Sequence, residues 1–191
     1  MPGTEKKGIF ALLIAVLSIW ISYLLDENAK IFIESVKNVH ATIFFSSITN
    51  IAIVFLMMLF IPCYIIYKKS QDKKAINALV AAFIFSVLLS LLIKIVFFRE
   101  RPDIMIKYPL ISVLDYSFPS MHAMIVFSLL PILMKNLRLK WLWIILAFLI
   151  SFSRIYLGFH YLSDVVFGAF AGLLVGHTAM HFFENGKTKK V

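Results

Sequence analysis

The sequence has 191 residues, of which 61% are hydrophobic and 15% charged, with 19 phenylalanines and a net charge of +9. Soluble domains carry about 25% charged residues, and several apolar runs here approach the ~20 residues that cross a bilayer, which excludes a water-soluble globule. The basic residues lie in short segments between those runs, so the charge points to membrane topology rather than to nucleic acid.

Lys6 and Lys7 precede the first run, Gly8–Leu25, in the manner of a secretory signal. The run is longer than a signal core and ends in Asp26-Glu27 without a small-residue cleavage pattern, so a retained helix is expected. Five more spans are expected, at about Thr42–Tyr67, Ala75–Phe98, Ser120–Met134, Leu139–Leu157 and Tyr161–Phe183. The fold class is then all-α, a polytopic bundle of six transmembrane helices forming one domain over residues 1–191. Pro62 and Pro131 fall inside spans and predict local kinks satisfied by neighbouring helices. Cys63, the sole cysteine, reads as a small core residue.

A cytoplasmic N-terminus would leave seven of the 19 Lys and Arg outside: Lys30, Lys37, Lys94, Arg99, Arg101, Lys107 and Arg154. The other basic residues, including Lys187, Lys189 and Lys190 of the tail, fall inside. This bias places both termini in the cytoplasm and the loop Arg99–Pro119 outside. Loops of that length are usually functional or disordered.

Polar residues gather at the outer ends of the last four spans. Lys94 lies within apolar sequence, Arg101 sits two turns further on nearly the same face, and Pro102 stops the helix. Ser120 is placed as an N-cap, with His122 beside it, and the free amides of such a first turn bind anions. Arg154 then precedes His160 and Asp164, which are four apart and expected to stack on one helix face. Asp164 would accept the Nδ1 proton of His160 and leave Nε2 free as nucleophile or base. Ionisable residues at membrane depth are costly and by default functional. Three cations, a helix N-terminus, two histidines and a carboxylate suit a phosphate, because phosphoryl transfer depends on positioning and electrostatics.

The pattern Lys94-x6-Arg101-Pro102, Pro119-Ser120-x-His122 and Ser153-Arg154-x5-His160-x3-Asp164 resembles the type 2 phosphatidic acid phosphatase (PAP2) superfamily. The resemblance implies a six-helix bundle with an extracytoplasmic phosphate pocket and no cofactor or metal. It implies His160 as a nucleophile forming a phosphohistidine, Asp164 as the residue that orients it, and His122 as the acid that protonates the leaving oxygen. Lys94, Arg101, Ser120 and Arg154 would bind phosphoryl oxygens. Met121 stands where the second motif usually has glycine and would offer its backbone N–H.

The partners expected are a lipid phosphate or diphosphate and the surrounding membrane lipids, not nucleic acid. A polyprenyl diphosphate is favoured; a phosphatidate, phosphatidylglycerophosphate or diacylglycerol-pyrophosphate is the nearest alternative. Haloperoxidases share the pocket but are larger and soluble, and a transport or scaffold protein would not place its ionisable residues only at outer helix ends. Gly168, Gly172 and Gly176 continue the Asp164 face and predict close packing on the fourth span, with a homodimer as the other use of such a seam. His177 and His181 read as an interfacial helix end, and Trp141 and Trp143 as interfacial anchors.

Overall fold

The structure, a computed structural model, describes residues 2–50, 53–54, 56–103, 112–138 and 140–185. Lys107 and the tail lysines lie outside the described residues. The elements are helical throughout: α1 (Pro2–Leu24), α2 (Asp26–Val36), α3 (Val39–Ile48), a π-turn (Leu56–Phe60) leading into α4 (Ile61–Ser70), α5 (Lys73–Phe97), a 3₁₀ turn (Ser112–Asp115), α6 (Met121–Asn136), α7 (Lys140–Tyr156) and α8 (Leu162–Asn185). Among the described residues α5 and α8 are long and apolar enough to cross a membrane singly, and α1 with α2 qualifies as a pair bent by 59°.

Two expectations change here. The first span does end at Leu24, but the residues after it form α2 rather than a loop. Asp26 and Glu27 complement the positive end of that helix, and Ile33 is buried with Tyr156 and Leu157. The second span is not one helix: α3 closes at Thr49, whose amide bonds to Phe45 O. The chain resumes through the π-turn just before Pro62. Proline lacks the N–H an α-turn needs there, and π geometry is a common local solution.

The core is built round α6. Its sequence after His122 is apolar on every side, and a helix of that kind is stable only when enclosed. Ala123 to Leu130 are all buried, wrapped by the π-turn, α5, α7 and α8. The seam with α8 is the tightest contact. A Cβ on Gly168, Gly172 or Gly176 would stand 2.8, 2.3 or 2.0 Å from the carbonyl oxygens of Ser120, Met124 and Ser128. This is the packing on the fourth span that the glycine spacing predicts, and its register shows α6 and α8 running parallel. Two helix N-termini therefore face the same end of the bundle. At the opposite end Lys135 pairs with Glu184. Trp143 corrects the anchoring expectation. It turns inward at 6% exposure, and its Nε1 donates to Arg138 O at 3.3 Å, while Trp141 stays outside at 76%.

Candidate active site

The start of α6, the ends of α3, α5 and α7 and the segment leading into α8 border a cavity of about 400 Å³ lined by Lys94, Arg101, Met121, His122, Arg154 and His160 together with Ser46, Thr49 and Asn50. Side chains from all three motifs, separated by up to 66 positions, thus share one space. Each reaches it by a specific local device.

Lys94 is 1% exposed on the last turn of α5, and its Nζ donates to the carbonyls of Tyr116 and Ser117. Arg101 does not reach the cavity along the helix face, as the spacing predicts. The helix ends four residues before Arg101, because Phe98 adopts a left-handed conformation (φ 49°) with its amide on Lys94 O. Beyond this turn Arg101 Nη1 donates to Phe159 O at 2.7 Å and Nε to Asp115 O at 3.1 Å. Arg154 projects from the last turn of α7, with its guanidinium carbon 4.0 Å from the Phe159 ring centroid; that of Arg101 is 5.5 Å away. Phe159 thus contacts both arginines, a role its position between Arg154 and His160 only hints at.

Ser120 caps α6 as predicted, its Oγ accepting the Ala123 N–H at 3.4 Å, and its own amide donates to Asp164 O at 3.1 Å. Met121 joins the lining of the cavity from the first turn of α6. His122 is on the same turn, and its Nε2 is buried without a hydrogen-bond partner. Such groups call for an explanation, and in a cavity lined by cations a ligand that completes the bonding supplies one.

His160 precedes α8 rather than lying on it. The chain leaves α7 through Gly158, whose φ of 78° suits glycine, and a Cβ there would meet Asp103 at 3.2 Å. Tyr161 is the N-cap of α8, and Asp164, at the third helical position, accepts its N–H through Oδ2 at 2.8 Å, one half of a capping box. The other oxygen, Oδ1, accepts from Arg99 at 2.7 Å. With both oxygens engaged, Asp164 lies 3.6 Å from His160 Nδ1, close but outside hydrogen-bond distance. The contact predicted from the i,i+4 spacing is therefore present as a charge neighbour and not as a formed bond. Catalytic hydrogen bonds are often long until substrate binds.

Burial first, then the charges of Lys94, Arg101 and Arg154, hold the His160 imidazole well below the usual histidine range, so the ring is neutral. A neutral imidazole is the nucleophilic form. Sequence reasoning missed Asp26 and Arg99, which join Asp164 in one cluster. Their available signal was only position: an acid closing an apolar run, and a cation between two motif residues. His177 and His181 are exposed at the far end of α8, His177 Nδ1 lying 2.9 Å from Leu173 O.

Known proteins are similar to the chain in sequence or in fold. A bacitracin transport permease protein of Bacillus licheniformis is 44% identical over 62 residues, 32% of this chain and 30% of its own length. An undecaprenyl-diphosphatase of Sulfolobus acidocaldarius is 31% identical over 133 residues, 66% of this chain and 63% of its own. The chain thus spans less than two thirds of the length of either relative. The crystal structure of a transmembrane PAP2-type phosphatidylglycerolphosphate phosphatase from Bacillus subtilis shares the fold, with a TM-score of 0.71 at 21% identity over 95% of this chain and 98% of that one. The apolar helices and this transmembrane fold mark an integral membrane protein. The sequence profile of the PAP2 superfamily matches residues 75–187, a stretch that holds all three motifs, and the chain belongs to that superfamily.

Proposed function

We propose that the chain is a lipid phosphatase that forms and hydrolyses a phosphohistidine at His160. One observation carries the reading: Lys94, Arg101, Arg154, His122 and His160 line a single cavity, with His122 Nε2 buried and unpartnered beside it. The three cations neutralise non-bridging oxygens, and arginine does so through a two-pronged fork. The N-terminus of α6, with the Ser120 and Met121 backbone, adds the positive end of a helix dipole. His160 attacks phosphorus as the bond to the leaving oxygen breaks, and His122 gives that oxygen a proton. Water, deprotonated by His122, then cleaves the N–P bond. Asp164 supports the positive charge on the phosphorylated ring. The reading assigns no step to a metal ion.

The substrate reading favours a polyprenyl diphosphate cleaved to its monophosphate, on the strength of the similarity to a protein named undecaprenyl-diphosphatase. The fold shared with a phosphatidylglycerolphosphate phosphatase favours a glycerolipid as the second reading. The chain is proposed as one domain of six membrane passages, α3 with α4 forming the second and both termini in the cytoplasm. The cavity then faces the extracytoplasmic side, in keeping with the distribution of Lys and Arg.

Phosphate release by the purified protein in detergent with a chelator tests the reading. Undecaprenyl diphosphate, phosphatidate and phosphatidylglycerophosphate are compared, with His160→Ala as the blank. Wild-type release on one of them, reduced by about 10⁴-fold or more in the variant, is expected. Equal turnover by His160→Ala removes the nucleophile, and no release by wild type on any of them returns the chain to a binding or transport role.

A further inference from the structure

A cluster of charge built on Asp164 ties the bend between α1 and α2 to the start of α8. Arg99 Nη1 donates to Asp164 Oδ1 at 2.7 Å and to Ser163 Oγ at 2.8 Å, while Nη2 donates to Asp26 Oδ2 at 2.7 Å. Asp26 is engaged on both oxygens: Oδ1 accepts the Ser163 N–H at 2.8 Å and Oδ2 accepts the Ser163 hydroxyl at 2.6 Å. The guanidinium carbon lies 4.1 Å from the Tyr161 ring centroid and 5.7 Å from that of Tyr23. A planar fork bonded to carboxylates at two corners and stacked on its face has little freedom left. Asp26 and Asp164 are both buried, and Arg99 is 24% exposed. Asp26 also lies outside residues 75–187, the stretch matched by the family.

We infer that Asp26 and Arg99 are positioning residues for the phosphatase reaction, acting on His160 through Asp164. The inference rests on the reading of His160 as nucleophile and Asp164 as its supporting anion. Arg99 and the Tyr161 amide take one oxygen of Asp164 each, which fixes the plane of the carboxylate and sets Oδ2 at 3.6 Å from His160 Nδ1. The electrostatic part is equally specific. A lone Arg99 would cancel the charge of Asp164, leaving little to support a phosphorylated imidazolium. Asp26 shares the guanidinium, so the cluster of two carboxylates and one cation keeps one negative charge beside the ring. Asp26 therefore sets how much of the Asp164 charge His160 feels, and the N-terminal bend becomes part of the catalytic structure.

Kinetics of the full chain in detergent on undecaprenyl diphosphate test this, with the glycerolipids as substrates if they prove to be the better ones. Asp26→Asn should lower kcat by about 10- to 100-fold, the usual scale for residues that orient a working side chain, with KM within about twofold. Asp26→Glu should recover part of the loss. Arg99→Lys, which keeps the charge and loses the fork, should fall in the same range. Introduced into Asp164→Asn, the Asp26→Asn change should cost less than about threefold more, because coupled residues do not add. Wild-type kcat in Asp26→Asn, or a loss that multiplies in full with that of Asp164→Asn, overturns the inference. If melting curves show Asp26→Asn unfolded, Arg99→Lys decides by the same criteria. Turnover by His160→Ala sinks the underlying reading instead, independently of how the Asp26 variants behave.

Discussion

Lys94 and Arg99 stand five residues apart, yet the fold treats their charges in opposite ways. The Lys94 ammonium is buried against the carbonyls of Tyr116 and Ser117, and no carboxylate pairs with it among the described residues. The Arg99 guanidinium is bracketed by Asp26 and Asp164. Carbonyl dipoles orient a cation without neutralising it, so under the proposed function Lys94 is the cation that offers its charge to a phosphoryl oxygen. Arg99 has no such charge to give and serves to hold the carboxylate behind His160. A binding cation and a structural one are told apart by their partners, not by their place in the sequence.

Removing the unneutralised charge gives the largest expected effect. Lys94→Met should lower kcat/KM by about 10³-fold, the scale for losing one preorganised group that stabilises the transition state, measured as initial phosphate release. A loss no greater than that of Arg99→Lys would erase the distinction between the two cations. Next is a change that disturbs both sides of His160 together. Gly172→Leu would drive a side chain into Met124 O, and overpacking of this kind costs about 1–3 kcal/mol or more. A lower melting temperature in detergent is the readout, and an unchanged one would show that α6 and α8 do not depend on the seam.

The pH profile sharpens the same contrast. Burial first, then Lys94, Arg101 and Arg154, push the His160 titration down, while a hydrogen bond to the Ser117 backbone works against them. The neutral form of the proposed nucleophile therefore persists below pH 6.5, and the acid limb of kcat/KM should lie under that value. Taking away a positive charge makes protonation easier, so Lys94→Met should move the limb upward. A limb that stays in place would separate Lys94 from the His160 environment. The smallest effect belongs to the exposed Lys135–Glu184 pair at the far end of the bundle. Lys135→Ala should cost less than about 1 kcal/mol and leave kcat unchanged, showing that an ion pair matters here only where it adjoins the chemistry.

The course of α5 to α8 was legible because each helix is apolar over its length, and Ser120 was readable as the cap that opens α6. The convergence of Lys94, Arg101, His122, Arg154 and His160 was legible too, since ionisable groups in apolar sequence have few places to go. The helix α2 was not, because its apolar residues are too few to register as a span, and Ile33 finds its cover in a distant cluster with Tyr156 and Leu157. The break near Thr49 was hidden because hydropathy averages over both flanks of a π-turn. Asp26 and Arg99 escaped because their significance lies in a pairing across 73 positions, and no local pattern encodes a contact of that range.

The cluster of positive charge around the cavity bears on more than turnover. Burying Lys94 beside Arg101 and Arg154 costs folding free energy that an occupying anion would return. A ligand bound only by the folded chain raises stability by about 2.7 kcal/mol at a hundred times its dissociation constant. Orthophosphate, the product of the proposed reaction, is such an anion. Its binding should raise the melting temperature and slow turnover over one concentration range, so that the protein is most robust when it is least active.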